Sequence, residues 1–351
     1  MLTPRRFMCA TALAALACPL TALASPWTLP RGTVAFTGTF GYQTATQEFF
    51  DQGTPRNFPL RGRYVGTSFN LGVRASFIEG LEFELSVPIR QVTYTGDPVI
   101  LLDRPMGSTE TEIDYYQRNI INLSRAASGL GDLNLSARYR LLQQPFALAA
   151  ELRIKAPTGY NPPQGTFGDR PSTNTEFLSD VRRWVTPENV RDDVTLGDGQ
   201  LDASLGLLFG YAFRTRTFVR VDAAYNLRFG GAGHQVLTAL RAGQGIGDRL
   251  LIYAWAQLAY TVTQGRVIGV SVAANNPDLP ADQYVGANNL LLRELRLERD
   301  ALDIGGGIIV RLTTEVELNL GYSRTLWGRN TAAVDSLNLG LGVRTRFMPG
   351  S

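Results

Sequence analysis

The feature that most constrains this chain is a side-chain period of two. Leu133, Leu135, Ala137, Tyr139 and Leu141 alternate with Asp132, Asn134, Ser136, Arg138 and Arg140. Successive residues of an extended strand face opposite sides of the sheet, so one face here is wholly apolar and the other wholly polar. After only Gln143-Gln144-Pro145 the pattern returns. Phe146, Leu148, Ala150, Leu152 and Ile154 now oppose Glu151, Arg153 and Lys155.

The same alternation predicts strands near 33–45, 62–77, 80–95, 130–142, 146–157 and 199–213, then near 216–229, 235–246, 250–263, 300–312, 315–327 and 335–347. The connections between them sort by length. Short turns fall at Ile78-Glu79-Gly80, Gln143 to Pro145, Arg214-Thr215, Gly247-Asp248-Arg249 and Thr313-Thr314. The intervening connections are mostly long, near 46–61, 96–129, 158–198 and 264–299, with two short ones at 230–234 and 328–334. That alternation is the layout of an outer-membrane barrel, with short turns in the periplasm, long loops outside and both termini periplasmic. A soluble β-sandwich has no reason to sort its loops in this way. The expected fold is therefore all-β: one antiparallel, up-and-down transmembrane barrel of about twelve strands over 25–351. A hydrophobic fraction of 44% does not by itself signal a membrane protein. Past the first residues no apolar run reaches the roughly 20 that a membrane helix needs. Alternating strands hide their apolar content in just this manner.

Residues 1–24 read as a secretory signal peptide: basic Arg5 and Arg6, an apolar stretch from Phe7 to Leu20, and a small-x-small site at Ala22-Leu23-Ala24. The mature chain would begin at Ser25. Both cysteines, Cys9 and Cys18, lie within that signal, so disulfides and thiol chemistry are not expected afterwards. Loss of Arg5 and Arg6 takes the formal charge from +3 to +1. The basic balance thus gives no support to nucleic acid as a partner.

The final predicted strand alternates Leu337, Leu339, Leu341, Val343, Thr345 and Phe347 with Asn338, Gly340, Gly342, Arg344 and Arg346. An aromatic residue ending such a strand resembles the signal by which outer-membrane proteins reach the barrel-assembly machinery. Here Met348 to Ser351 follow it. Outward Tyr139, Tyr211, Tyr225, Tyr260 and Tyr322 are placed to supply interfacial girdles against lipid and lipopolysaccharide. Trp255 falls on the inward phase. Glycines 243, 245 and 247 blur the alternation of 235–246. Thr175 to Val185 has helical spacing, and Asn288 to Arg299 reads as a strand running past the membrane.

The inward positions carry charges of both signs. The candidates for a transport path are Arg74, Glu84, Asp132, Arg138, Arg140, Glu151, Arg153, Lys155, Asp202, Arg220, Asp222 and Arg228. If the turns set the register, Arg74 opposes Glu84 and Asp202 opposes Arg228, pairs of opposite sign that favour that register. Such residues either stabilise the wall as ion pairs or offer guanidinium forks to carboxylate solutes. No catalytic, cofactor-binding or metal-binding residue is assigned. His234 is the sole histidine, in Gly233-His234-Gln235, without a nucleophile or an acidic neighbour in sequence. Gly305-Gly306-Gly307 lies inside an alternating strand, where glycine marks bending or close approach and not a phosphate loop.

Two segments carry a family resemblance. The run from Ser128 to Leu142 (SGLGDLNLSARYRLL), Lys155-Ala-Pro-Thr-Gly159, and Leu196-Gly-Asp-Gly199 with Asp202 resemble the outer-membrane transporter family named for the MetA pathway of phenol degradation. The resemblance covers about 128–230 best. It implies a channel for small, often aromatic, hydrophobic or carboxylated compounds; no cofactor is expected. Two other classes stay open at this point: an outer-membrane hydrolase of the phospholipase kind, and a non-conducting structural or adhesive barrel.

Overall fold

The computed structural model describes residues 26–49, 53–100, 106–109, 111, 120–121, 124–143, 146–158, 196–274, 276, 278–279, 283 and 289–347. Residues 1–24, expected to be a signal peptide, the stretch Thr175 to Val185 and Met348 to Ser351 lie outside them.

The wall is built from β1 (Thr33–Ala45), β2 (Arg63–Ile78), β3 (Leu81–Thr95), β4 (Leu133–Leu142), β5 (Ala147–Ala156) and β6 (Asp202–Ala212). It continues through β7 (Thr217–Arg228), β8 (Gln235–Ile246), β9 (Leu250–Thr261), β10 (Asp300–Arg311), β11 (Val316–Arg329) and β12 (Asp335–Arg346). Each strand pairs antiparallel with its sequence neighbours, and β1 pairs with both β2 and β12, so the sheet closes on itself. The predicted strands and their order are those observed. Closure leaves no unpaired edge, the condition for a sheet to stand in hydrocarbon.

The polar-apolar alternation decides which way each residue faces. On β12, Leu337, Leu339, Leu341 and Val343 are exposed on the outside, whereas Ser336 is buried within. Leu205, Leu207, Val221, Leu240, Ile252 and Leu320 continue the outer apolar band around the wall. Tyr139, Tyr225, Tyr260 and Tyr322 stand exposed on the same face, as expected. Near the short turns Phe146 contacts Phe209 and Tyr211, and Phe77 contacts Phe347. A dozen strands enclose a lumen into which their inward side chains project.

Three local results go beyond the sequence. The glycine-rich β8 is a regular strand, with Arg241, Gly243 and Gly245 inward and buried. The fourth wall strand begins earlier than predicted: Arg125–Leu130 already pairs with β3, inside what reads as the 96–129 loop. The register then slips at Gly131 and Asp132 before Asn134 and Leu135 resume pairing opposite Ser86 and Leu85. Pro88 faces this slip; it has no N–H to give the ladder, and its carbonyl accepts from Gly131 at 2.8 Å. The small residues Gly129 and Ala127 hid this extension, because a strand face without large side chains shows no alternation. Finally, Leu290–Arg296 is a strand, paired with Val267–Ala274 in a two-stranded ribbon between β9 and β10.

Candidate functional site: a lumen with two unlike arcs

The charged arc runs along the inner faces of β2 to β7. Its centre is Arg138, whose side chain is 1% exposed. Arg138 Nη1 donates to Glu82 Oε1 at 2.5 Å, and Nη2 donates to Glu84 and Glu151 at 3.3 Å each. Arg153 reaches Glu151 at 3.0 Å, and Arg74 lies 3.7 Å from Glu82. The register that sets this up is the predicted one, with Arg74 opposite Glu84. Burying such charges is tolerable because each carboxylate has a cation beside it.

A second cluster sits nearer the long loops. Lys155 Nζ lies 2.8 Å from Asp202, 3.6 Å from Asp132 and 2.5 Å from Asp198. Arg228, directly across the sheet from Asp202 as predicted, is 3.5 Å from it and also pairs with Asp198. Asp198 comes from the segment before β6 and bridges β5 to β7. Burial pushes its carboxyl up, but Lys155 and Arg228 outweigh that and hold it below the usual carboxylate range. Asp198 is a site residue that polarity alone did not single out, since it lies outside any alternating run. The flanking Leu196 is buried, and its carbonyl accepts from Arg90 at 3.1 Å.

Arg220 and Asp222 pair with one another at 2.5 Å, two residues apart on one face of β7. Arg140 stands apart from both clusters, at the short-turn rim, where it binds Glu79 at 2.5 Å. The twelve candidates therefore form two clusters, one separate pair and one rim residue.

The inward aromatic rings gather on β7 to β10, with buried Arg241 across from Trp255 among them, and only Trp255 announced this arc in the sequence. Phe218, Leu251, Tyr253 and Ile309 are buried inward, with Trp255 packed against them. Tyr253 donates from its hydroxyl to Asn319 at 2.9 Å. Opposite these rings the wall is glycine: Gly305 faces Trp255, and Gly307 faces Tyr253. A Cβ on Gly305 would come within 2.7 Å of the Trp255 ring. The glycine run that resembled no phosphate loop is thus space for two rings.

The chain before β1 enters this lumen. At Gly32, φ is +74°, a left-handed turn that glycine takes without strain, and the backbone reverses. Its N–H donates to Ser76 O at 2.7 Å. Pro26, Trp27, Thr28 and Leu29 then lie buried inside the barrel at the short-turn end. The Leu29 N–H donates to Glu82 Oε2 at 2.7 Å, tying the segment to the Arg138 cluster. Trp27 joins the aromatic arc, with its ring perpendicular to Phe218 at 6.3 Å between centroids. Gly210 makes room for it: a Cβ there would meet Trp27 at 2.6 Å and Pro26 at 2.7 Å.

His234 has a structural place. Its Nδ1 accepts from the Arg228 backbone N–H at 3.0 Å, and its own N–H donates to Thr263 at 2.7 Å. Both contacts fasten the short turn between β7 and β8.

No protein-family model matches the sequence, and no curated protein matches it either. Among solved structures, the chain is similar to an outer-membrane channel from Pseudomonas putida F1. The TM-score is 0.59 at 13% identity, covering 93% of this chain and 100% of that one. Looser likenesses are to the transport unit of the autotransporter AIDA-I from Escherichia coli (TM-score 0.43, 13% identity, 98% and 99% covered) and to the NanC porin (0.42, 7%, 88% and 98%). At these identities the likeness extends to the fold alone: this chain has the fold of an outer-membrane channel barrel.

Proposed function

We propose that this chain is an integral outer-membrane channel for uptake of small molecules, closed at rest, whose solutes include aromatic or hydrophobic compounds. The observation that carries this reading is the lumen itself. A paired charged arc stands beside an aromatic arc, and a short segment carrying Trp27 lies between them. A structural barrel has no need for a removable segment inside it. A porin with an open, wholly polar bore has no need for Phe218, Tyr253 and Trp255. In this reading the short turns and both termini face the periplasm. The outer band contacts lipid, with lipopolysaccharide in the outer leaflet, and Phe347 serves the assembly machinery. The hydrolase reading has no support from His234, whose Nδ1 is committed to a backbone N–H.

Conductance of the refolded chain in a planar bilayer tests the proposal. The wild type is expected to show rare openings. Trp27→Gly is expected to raise the open fraction at least tenfold while the barrel keeps its heat-modifiable migration on gels. A folded Trp27→Gly barrel that stays silent overturns the channel reading.

A further inference from the structure

Trp27 sits where the lumen wall is shaped for a flat ring. Phe218 meets the indole edge-on, the arrangement aromatic pairs prefer, with an interplanar angle of 90°. Leu251 and Ile309 close the apolar sides, and Ala147 and Gly210 keep the β5–β6 wall thin. The fit is close enough that one added carbon at Gly210 would strike the ring. The rest of the described lumen carries buried charges instead, along β2 to β7 and at Arg241 and Asp300.

The chain behind the occupant is fastened to the wall. The Leu29 N–H on Glu82 and the Gly32 N–H on Ser76 anchor the segment. Pro26 to Thr28 extend beyond those anchors, so the ring can leave while the anchors stay. A socket that accepts a tethered indole side chain accepts a free planar ring of the same size by the same contacts.

We propose that this socket is a binding site for a free planar aromatic solute, and that Trp27 is its tethered occupant, displaced when the solute binds. The inference rests on the channel reading above and adds to it a regulation: the solute opens its own path. A ligand shifts an equilibrium only by its differential affinity for the two states. Here the difference is complete, because one ring excludes the other. A solute at ten times its dissociation constant for the vacated socket raises the displaced population about elevenfold. Removing Trp27 removes the competitor, so apparent affinity rises to the intrinsic value.

Indole is the probe, since it reproduces the Trp27 ring. Calorimetric titration and bilayer recordings use the full refolded chain. Wild-type open fraction is expected to rise saturably with indole. Trp27→Ala is expected to be open without indole and to bind it with at least tenfold lower half-saturation. Adding Phe218→Ala to that variant is expected to weaken binding again. Heat-modifiable migration verifies that each barrel is folded. Equal half-saturation for wild type and Trp27→Ala overturns the proposal, as does indifference to Phe218→Ala. If indole binds as expected but neither protein conducts, the socket stands and the channel reading fails. If Trp27→Ala conducts but binds no indole, the channel reading stands and the socket fails.

Discussion

At the scale of single residues, the lumen is governed by which charge loses its partner. Arg138 neutralises Glu82, Glu84 and Glu151 together. Replacing it leaves three carboxylates, two of them buried, with Arg74 and Arg153 still beside Glu82 and Glu151 but the shared central cation gone. Arg138→Met is expected to lower stability by about 3 kcal/mol or more, the cost of breaking a buried pair on one side. The urea midpoint in lipid vesicles would read it. Glu84→Gln should cost much less, because its side chain is 26% exposed. Asp198 makes a pH-dependent prediction. Its folded carboxyl is held below the usual range, so the stability it adds is present above the unfolded value and lost as pH falls through the folded one. Hydrogen-exchange protection at 196–200, taken relative to the intrinsic rate at each pH, should therefore be high at neutral pH and fall in acid. Asp198→Asn should exchange fast at neutral pH and lose the pH step. The pairs Arg74–Glu84 and Asp202–Arg228 were legible in the sequence because hairpin turns fix register by counting. Asp198 and Trp27 were not, because neither lies in an alternating run and no local rule says where a segment outside the strands will settle.

At the scale of elements, strands announced themselves wherever large apolar side chains alternate with polar ones. They faded wherever the inner or outer row is small. Arg125–Leu130 was hidden for that reason, and the inner glycines of β8 and β10 hid the aromatic arc they accommodate. Small residues are informative once the fold is known. Gly210 on β6 marks the bed of the N-terminal segment, where no larger side chain fits. Gly210→Val is expected to push Trp27 off the wall and raise the open fraction in bilayer recordings. Gel migration of the folded barrel should not change, because the strand pairing of Gly210 with Ala147 and Arg220 uses backbone groups only. Unchanged closure in that variant would show that Pro26 and Trp27 do not hold the lumen shut.

At the scale of the whole molecule, the sorting of side chains into an outer and an inner shell is the fact that the rest depends on. Leu339 is exposed on the outer face midway along β12, and its neighbour Asn338 points inward. Leu339→Arg should destabilise the inserted barrel by about 2–4 kcal/mol, as charges do near the bilayer midplane. Asn338→Ala should cost distinctly less. Equal costs in vesicle unfolding would contradict the assignment of faces. The fold was readable from one period and one pattern of loop lengths. The family resemblance seen in Ser128 to Leu142 finds no matching family model, so the solute has to be sought in the lumen and not in the motif.

The seam where β1 meets β12 bears on how the barrel is made. The strand that seals the wall is also the strand that carries the inner segment, only a few residues ahead of it. Pro26 to Leu29 cannot be enclosed before the seam forms, and once it has formed they cannot be fed in through the wall. After sealing, the one way in is the short-turn mouth beside Gly32, so a barrel can seal first and draw its own inner segment in afterwards.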